Sequence, residues 1–519
     1  MYLHQWVRSA IGKYGCVFFI ALLIHCGGKT ETPAIDDPHD PGVVTIEPES
    51  GNDLYGLILD DGGQPVQGVV VSDGYTCVQT DEEGVYQLKR NANARFVFYV
   101  TPADYAINVE TSSRNIPSFY KPINAAAGAA VRADFQLTKL PRKESDFTLF
   151  CIGDPQVTNQ GEVTRFQQET INDLKMTLST LSTPAYGLSM GDVVGDQQGL
   201  LNSMKNILGS TSMPVFTTIG NHDKFSSAPA PRTGDFFSNI YGPLNYSFNR
   251  GDVHFICLDN VVFTDHTNYT GAFSEEQLTW LEQDLSYVPK DKMIILYYHI
   301  PIRGANMANK DKLLKLFEGY AEVHFMSGHT HYNQNYIHTS VSPHIYEHIH
   351  GAACGAWWRS TINGDGTPNG YAVYRVTGNT ITEWYYKATN YDKDFQIRLH
   401  WGDASFGGQY GYFSYSLPGN TLVANVWNAD DEWVIEVYED GVKTGNMAPA
   451  AVNRDAWSLG YHIGVLNRNP ANYSQLCTHL YTYAPENPRA DIKVLATDRF
   501  GNVYEQHQLT TDFNAARSY

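Results

Sequence analysis

Apolar residues fall in short runs along this chain, and the character of the runs changes twice. From Leu54 to about Leu140 they are three or four residues long and broken by turn formers: Leu57-Ile58-Leu59, Asp61-Gly62-Gly63, Val69-Val70-Val71, then Asp81-Glu82-Glu83-Gly84 ahead of Val85-Tyr86-Gln87-Leu88. Short β-rich runs at that spacing predict a small sandwich. From Phe147 the runs lengthen, at Phe147–Ile152, Tyr186–Met190, Val215–Ile219, Val253–Leu258, Met293–Tyr298 and Val323–Met326. Helical patterns lie between them: apolar residues recur at helical spacing from Val163 to Leu181, and Ser274-Glu275-Glu276-Gln277 is a capping box ahead of Leu278, Leu281 and Leu285. Strands alternating with helices predict a layered α/β core whose ligand sites gather beyond the carboxyl ends of the strands. After a strand pair over Gly370 to Lys387 the β texture returns, and Asp440-Gly441 marks a hairpin turn between alternating runs.

A chain of 519 residues is too long for one core. The pattern divides it into a leader over 1–26, a tether over 27–50, a β-sandwich over 51–142, an α/β domain over 143–388 and a β-rich domain over 389–519. The formal charge of −19 and pI near 5.3 oppose a phosphate backbone, so no long nucleic acid is expected as a partner. Arg8 and Lys13 precede the apolar stretch Val17–Ile24, which is too short to span a bilayer and has the layout of a secretory signal. It ends in Leu23-Ile24-His25-Cys26-Gly27-Gly28, which resembles a bacterial lipobox, although His25 replaces the usual small residue. The expectation is an exported protein, periplasmic or on the cell surface, anchored to the bacterial membrane by a lipid on Cys26; an ordinary cleaved signal is the alternative. Five cysteines remain outside the leader, an odd number scattered over separate units, and these predict free thiols rather than a disulfide framework.

The strand ends carry the chemistry. Gly153-Asp154, Gly191-Asp192, Gly220-Asn221-His222-Asp223, His299 and Gly328-His329-Thr330-His331 each follow an apolar run. Any one of them alone reads as an ordinary turn or a satisfied histidine. Together they supply enough carboxylate, amide and imidazole groups to hold two metal ions about 3.5–4 Å apart. A phosphate ester resists water because its anionic oxygens repel a nucleophile and its alkoxide leaves poorly, and two cations answer both problems.

In this order, with Asp154-Pro155-Gln156, the motifs resemble the calcineurin-like metallophosphoesterase superfamily over roughly Phe147 to Lys387. The resemblance implies a four-layer α/β/β/α sandwich. The run from Gly56 to Gly74 resembles the transthyretin-like modules at the front of exported bacterial enzymes, so the core is expected between an N-terminal transthyretin-like β-sandwich and a C-terminal β-rich domain. The family's roles put Asp192 between both metals, Asp154 and His331 on the first, and Asn221, His299 and His329 on the second. His222 then contacts the phosphoryl oxygen or protonates the leaving group, with Asp223 orienting it. Gln156 stands where the family usually has His, either as a ligand or as a hydrogen-bonding neighbour; a neutral amide oxygen turns the first site towards Mn, Mg or Fe rather than Zn. The implied activity is metal-dependent hydrolysis of a phosphomonoester or phosphodiester by hydroxide generated at the metal pair, with two divalent or trivalent ions as cofactors.

Four further features stand beside that set. Asp196 is read as a support to the site or a solvated loop carboxylate. Arg303 is a candidate for a substrate phosphate. Trp357 or Trp358 either stacks on an organic leaving group or packs the join to the C-terminal domain. His344, His348 and His350 alternate in an expected edge strand. The rival reading is a non-catalytic surface binding lipoprotein that keeps the fold as a scaffold, using its 34 Tyr and 9 Trp for glycans or peptides.

Overall fold

Each of the long apolar runs between Phe147 and Met326 becomes a strand in the computed structural model, which describes residues 45–519 apart from 111–114, 127, 229–231, 305, 409–410 and 474. The leader, Cys26 and most of the tether lie outside the described residues. Among the described residues no helix is long and apolar enough to cross a membrane.

The core is two sheets face to face. In the first, Val215–Thr217, Ala185–Ser189 and Asp146–Ile152 run parallel, and the hairpin Gly370–Thr377/Thr380–Ala388 extends them antiparallel. In the second, Val253–Cys257, Met293–Tyr297, Glu322–His331 and Ile345–Gly351 are parallel neighbours, with Tyr246–Arg250 and Gln334–His338 antiparallel at the two edges. Alternation within Asp146–Ile152 builds the layers. Phe147, Leu149 and Cys151 join the apolar cluster shared with the second sheet, while Phe150 and Ile152 point into the cluster shared with helices Gln160–Phe166, Asn172–Ser179 and Leu201–Leu208. Helices Glu275–Ser286 and Lys310–Leu316 pack on the second sheet through Leu278, Leu281, Leu313 and Leu314, completing four layers.

The capping box at Ser274 and Gln277 is present, with both reciprocal bonds made. The helical stretch expected from Val163 to Leu181 is interrupted by a π-helical segment, Gln167–Ile171. Within it Thr170 Oγ1 donates to the Ala353 carbonyl at 2.7 Å, tying this helix to the loop that carries the two tryptophans.

Residues 48–519 form one compact unit. Two four-stranded sheets make the N-terminal sandwich, which meets the core where Trp280 Nε1 donates to Ser72 Oγ at 3.0 Å and Lys205 pairs with Glu110 at 2.8 Å. The C-terminal module also holds two four-stranded sheets, and its Asp440-Gly441 turn pairs Glu439 with Val442 in the expected tight hairpin. The five cysteines of this unit are free and buried. The expected edge position of His348 and His350 is corrected. Ile345–Gly351 lies between two neighbours, both histidines are buried in it, and His344 precedes it in the open; the strand after His331 takes the edge because it pairs on one side only.

Candidate metal centre

Five strands deliver their carboxyl ends to one point between the sheets. Asp154, Asp192, Asn221 and His299 follow strands in turns, and His329 and His331 end theirs. Asp154, Gln156, Asp192, His329 and His331 all have positive φ, between 29° and 67°, which L-residues adopt only when the surroundings impose it. The flanking glycines show what imposes it. A Cβ on Gly220 would lie 2.1 Å from the Asp192 amide nitrogen and Oδ1, and one on Gly328 would lie 2.2 Å from Asp154 Oδ2.

Two groups of donor atoms result, Asp192 with His299 and His329, and Asp154 with Asp192 and His331; within each, the atoms lie within 4.8 Å of one another. Asp192 belongs to both. Around the first of these, His299 Nε2 is 3.3 Å from Asp192 Oδ2, 3.1 Å from Asn221 Oδ1 and 3.2 Å from His329 Nδ1. Donors held at about 2.1 Å around one ion sit roughly 3.0–3.4 Å apart, so these four atoms fit a single cation. His299 Nδ1 lies 2.7 Å from the Met190 carbonyl, which accepts a hydrogen bond from it and turns Nε2 inward. The second group is looser, with His331 Nε2 at 3.6 Å from Asp154 Oδ1. Asp154 is fixed by the His329 amide, which donates to its oxygens at 2.9 and 3.0 Å. Gln156 borders this group, its Nε2 3.5 Å from Asp192 Oδ2 and its buried Oε1 without a hydrogen-bond partner; His331 Nδ1 is likewise buried and unpartnered. Orphaned acceptors converging on two carboxylates suit a cation there.

The electrostatics follow from packing like and unlike charges together. Burial disfavours the imidazolium of His299, but Asp192 and then Asp154 outweigh it and raise its pKa to about 9. Burial and the charge on His299 push His329 down to about 3. Burial opposes ionisation of Asp192, yet His299 holds its carboxyl well below the usual range. His222 is raised, burial being outweighed by Asp192 and Asp196.

The expected pairing of His222 with Asp223 is corrected. Asp223 does not orient the His222 ring: its oxygens accept the amides of Val194 at 3.0 Å and Gly220 at 2.8 Å, so it braces the two ligand-bearing turns, and burial with the neighbouring Asp192 raises it to about 7. The group beside the ring is Asp196, with Oδ1 2.9 Å from His222 Nδ1, while the His222 amide donates to Asp192 Oδ1 at 2.9 Å. Arg303 is engaged with the Tyr332 hydroxyl and does not line the cleft at the centre. The tryptophans divide. Trp357 is 40% exposed, its ring 5.1 Å from His331 and 6.3 Å from His222. Trp358 is buried, donates its indole N–H to the His331 carbonyl at 3.0 Å and packs on His462 and Tyr473 of the C-terminal module, so it is a joint and not a substrate wall. Tyr269, 5.9 Å from the His329 ring and 38% exposed, went unnoticed in the sequence. A lone tyrosine in a short hairpin carries no spacing signal.

Three family models match the chain: one described as calcineurin-like phosphoesterase over residues 138–333, with its N-terminal companion over 53–140 and its C-terminal companion over 347–504. This chain belongs to the calcineurin-like phosphoesterase family, with the N- and C-terminal modules that accompany that domain. No curated protein matches it. Among solved structures, the Bacillus anthracis TIE protein aligns at 14% identity over 20% of this chain and 18% of its own, with a TM-score of 0.14, and that likeness carries no argument.

Proposed function

We propose that this protein hydrolyses phosphate esters at a two-metal centre, with Asp192 shared between the ions, Asp154 and His331 on the first and Asn221, His299 and His329 on the second. The carrying observation is that Asp192 alone belongs to both donor groups. When bound, the ions would lower the pKa of water and neutralise charge on phosphorus. The chain's own residues do the rest. His299 is oriented by Met190, Asp154 by the His329 amide, and Asp223 keeps the Gly191 and Gly220 turns in register. His222, at the edge of the cleft with its pKa raised by Asp192 and Asp196 against the effect of burial, supplies the proton to the departing oxygen as the bond from phosphorus to that oxygen breaks and the oxygen of water takes its place. Gln156 supports the first ion, turning it towards Mn, Mg or Fe.

Metal analysis combined with turnover of a nitrophenyl monoester and a bis-nitrophenyl diester, across Mn, Mg, Fe and Zn, tests this reading. His222→Ala is expected to lower turnover by about 10²–10⁴-fold with metal content unchanged. A metal-loaded protein that cleaves neither ester would favour the scaffold reading.

We also propose export and anchoring through Cys26, on the strength of the leader sequence. Cys26→Ser should move the protein from the detergent phase to the aqueous phase in a phase-partition assay; unchanged partition would remove the anchor.

A further inference from the structure

A cleft of about 280 Å³ opens beside the donor group of Asp154, Asp192 and His331, walled by Gln156, Thr158, Asp196, His222, Trp357 and Arg359, together with Asn472 and Tyr473 of the C-terminal module. Its volume falls just under the ~300 Å³ at which pockets begin to hold drug-sized ligands, which suits a single ring. The backbone of Trp357 is tied in place: the Tyr473 hydroxyl donates to its carbonyl at 3.3 Å, and its neighbour Trp358 is locked in the joint.

The charges in the cleft say what kind of ring. Arg359 is spent on an ion pair with Glu162, and Glu162 also accepts the Thr158 amide and hydroxyl at 2.7 and 2.9 Å. Asp196 is 69% exposed, and its Oδ1 lies 2.9 Å from His222 Nδ1. Among the lining residues the only cationic groups are His222 and Arg359, and each already faces a carboxylate, so a second phosphate or a carboxylate would have to displace an existing pair. A purely apolar group is also a poor fit, because it would strip water from Asp196 and Asn472 without replacing those hydrogen bonds. An uncharged ring with several hydroxyls offers what both surfaces need, C–H edges to the tryptophan face and O–H donors to the carboxylate and amides.

We propose that this cleft holds the leaving alcohol of the ester, and that this alcohol is a polyhydroxylated ring, a sugar or cyclitol. The assignment rests on the phosphoesterase reading above, since His222, the proton donor to the leaving oxygen, forms part of the same wall. It also gives the C-terminal module a role at the site through Asn472 and Tyr473.

The test is calorimetric binding to the metal-loaded full chain of three phosphonates whose C–P bonds resist hydrolysis: a C-glucosyl methylphosphonate, benzylphosphonate and ethylphosphonate. The sugar analogue is expected to bind at least about tenfold more tightly than the ethyl compound. Trp357→Ala and Asn472→Ala should each erase most of that margin with the metals retained. Equal affinity for the glucosyl and ethyl compounds, tighter binding of the benzyl compound, or a sugar margin that survives both substitutions would each overturn the proposal. Failure of all three probes to bind, together with no ester turnover, would instead strike at the phosphoesterase reading itself.

Discussion

A proton and a cation compete for the same atom of His299. Its Nδ1 proton is committed to the Met190 carbonyl, so the atom that takes the extra proton at neutral pH is Nε2, the one facing Asp192 and Asn221. With a pKa raised to about 9, the metal-free protein carries that proton at pH 7, and an ion must expel it. Metal affinity is therefore expected to fall as pH drops from about 9, and titrations in two buffers of different ionisation enthalpy should give different heats. Identical heats would mean that no proton leaves. The same raised pKa works in the other direction on the empty protein: its stabilising contribution is complete below the ordinary 6.5 and is lost as pH rises through about 9. At Gln156 the prediction concerns selectivity. Gln156→His should turn the first site towards Zn, measured by competitive loading, while His331→Ala should empty that site before the other; no change in metal preference would put Gln156 outside the ligand set. The sequence disclosed the identity of these groups through their order at strand ends, but not their partners. Asp223 follows His222 in the chain yet faces the backbone of two turns, and Asp196, further off in sequence, meets the ring. Adjacency along a tight turn says little about direction, because consecutive side chains there leave at steep angles.

The strands and the turns that end them set the reach of every ligand. Gly220 allows the Asn221 turn to press against the Asp192 turn, and no side chain fits between them. Gly220→Ala is therefore expected to lose bound metal and to destabilise the fold by about 1–3 kcal/mol, read by metal analysis and thermal melting. Retention of both ions in a stable variant would show that the turns can separate without consequence. At this scale the sequence was most readable: apolar runs and flanking glycines located the ligand-bearing strands of the core, the capping box and the Asp440-Gly441 hairpin, but not the edge strands Tyr246–Arg250 and Gln334–His338. What stayed hidden depended on which elements become neighbours. The π-helical segment exists where Thr170 reaches Ala353, and the burial of His348 and His350 depends on Gln334–His338 closing the edge outside them. Neither is written in a local period. The cleft escaped for the same reason, since its walls at Asp196, Trp357 and Tyr473 come from three distant parts of the chain.

Buried histidines spread over the whole molecule set its response to acid. Burial lowers His350, His400 and His462 to about 4, and burial with the neighbouring His324 also holds His348 well below the usual histidine range. A histidine whose folded pKa lies below 6.5 contributes stability that is complete above 6.5 and drains away as pH falls towards its folded value. Each amounts to as much as ~3 kcal/mol by pH 4. The melting temperature should thus drop steeply below pH 6.5, starting earlier than carboxylate titration would require; a flat profile down to pH 5 would contradict the burial. The Trp358 indole carries a different consequence. It grips the carbonyl of His331 from one side and the rings of His462 and Tyr473 from the other, so cation occupancy and the integrity of the C-terminal module are expected to be coupled through it. Loading the centre should raise the temperature at which that distant module opens, visible as slowed amide hydrogen exchange around residues 456–465. Trp358→Phe, which keeps the ring but removes the donor, should uncouple the two.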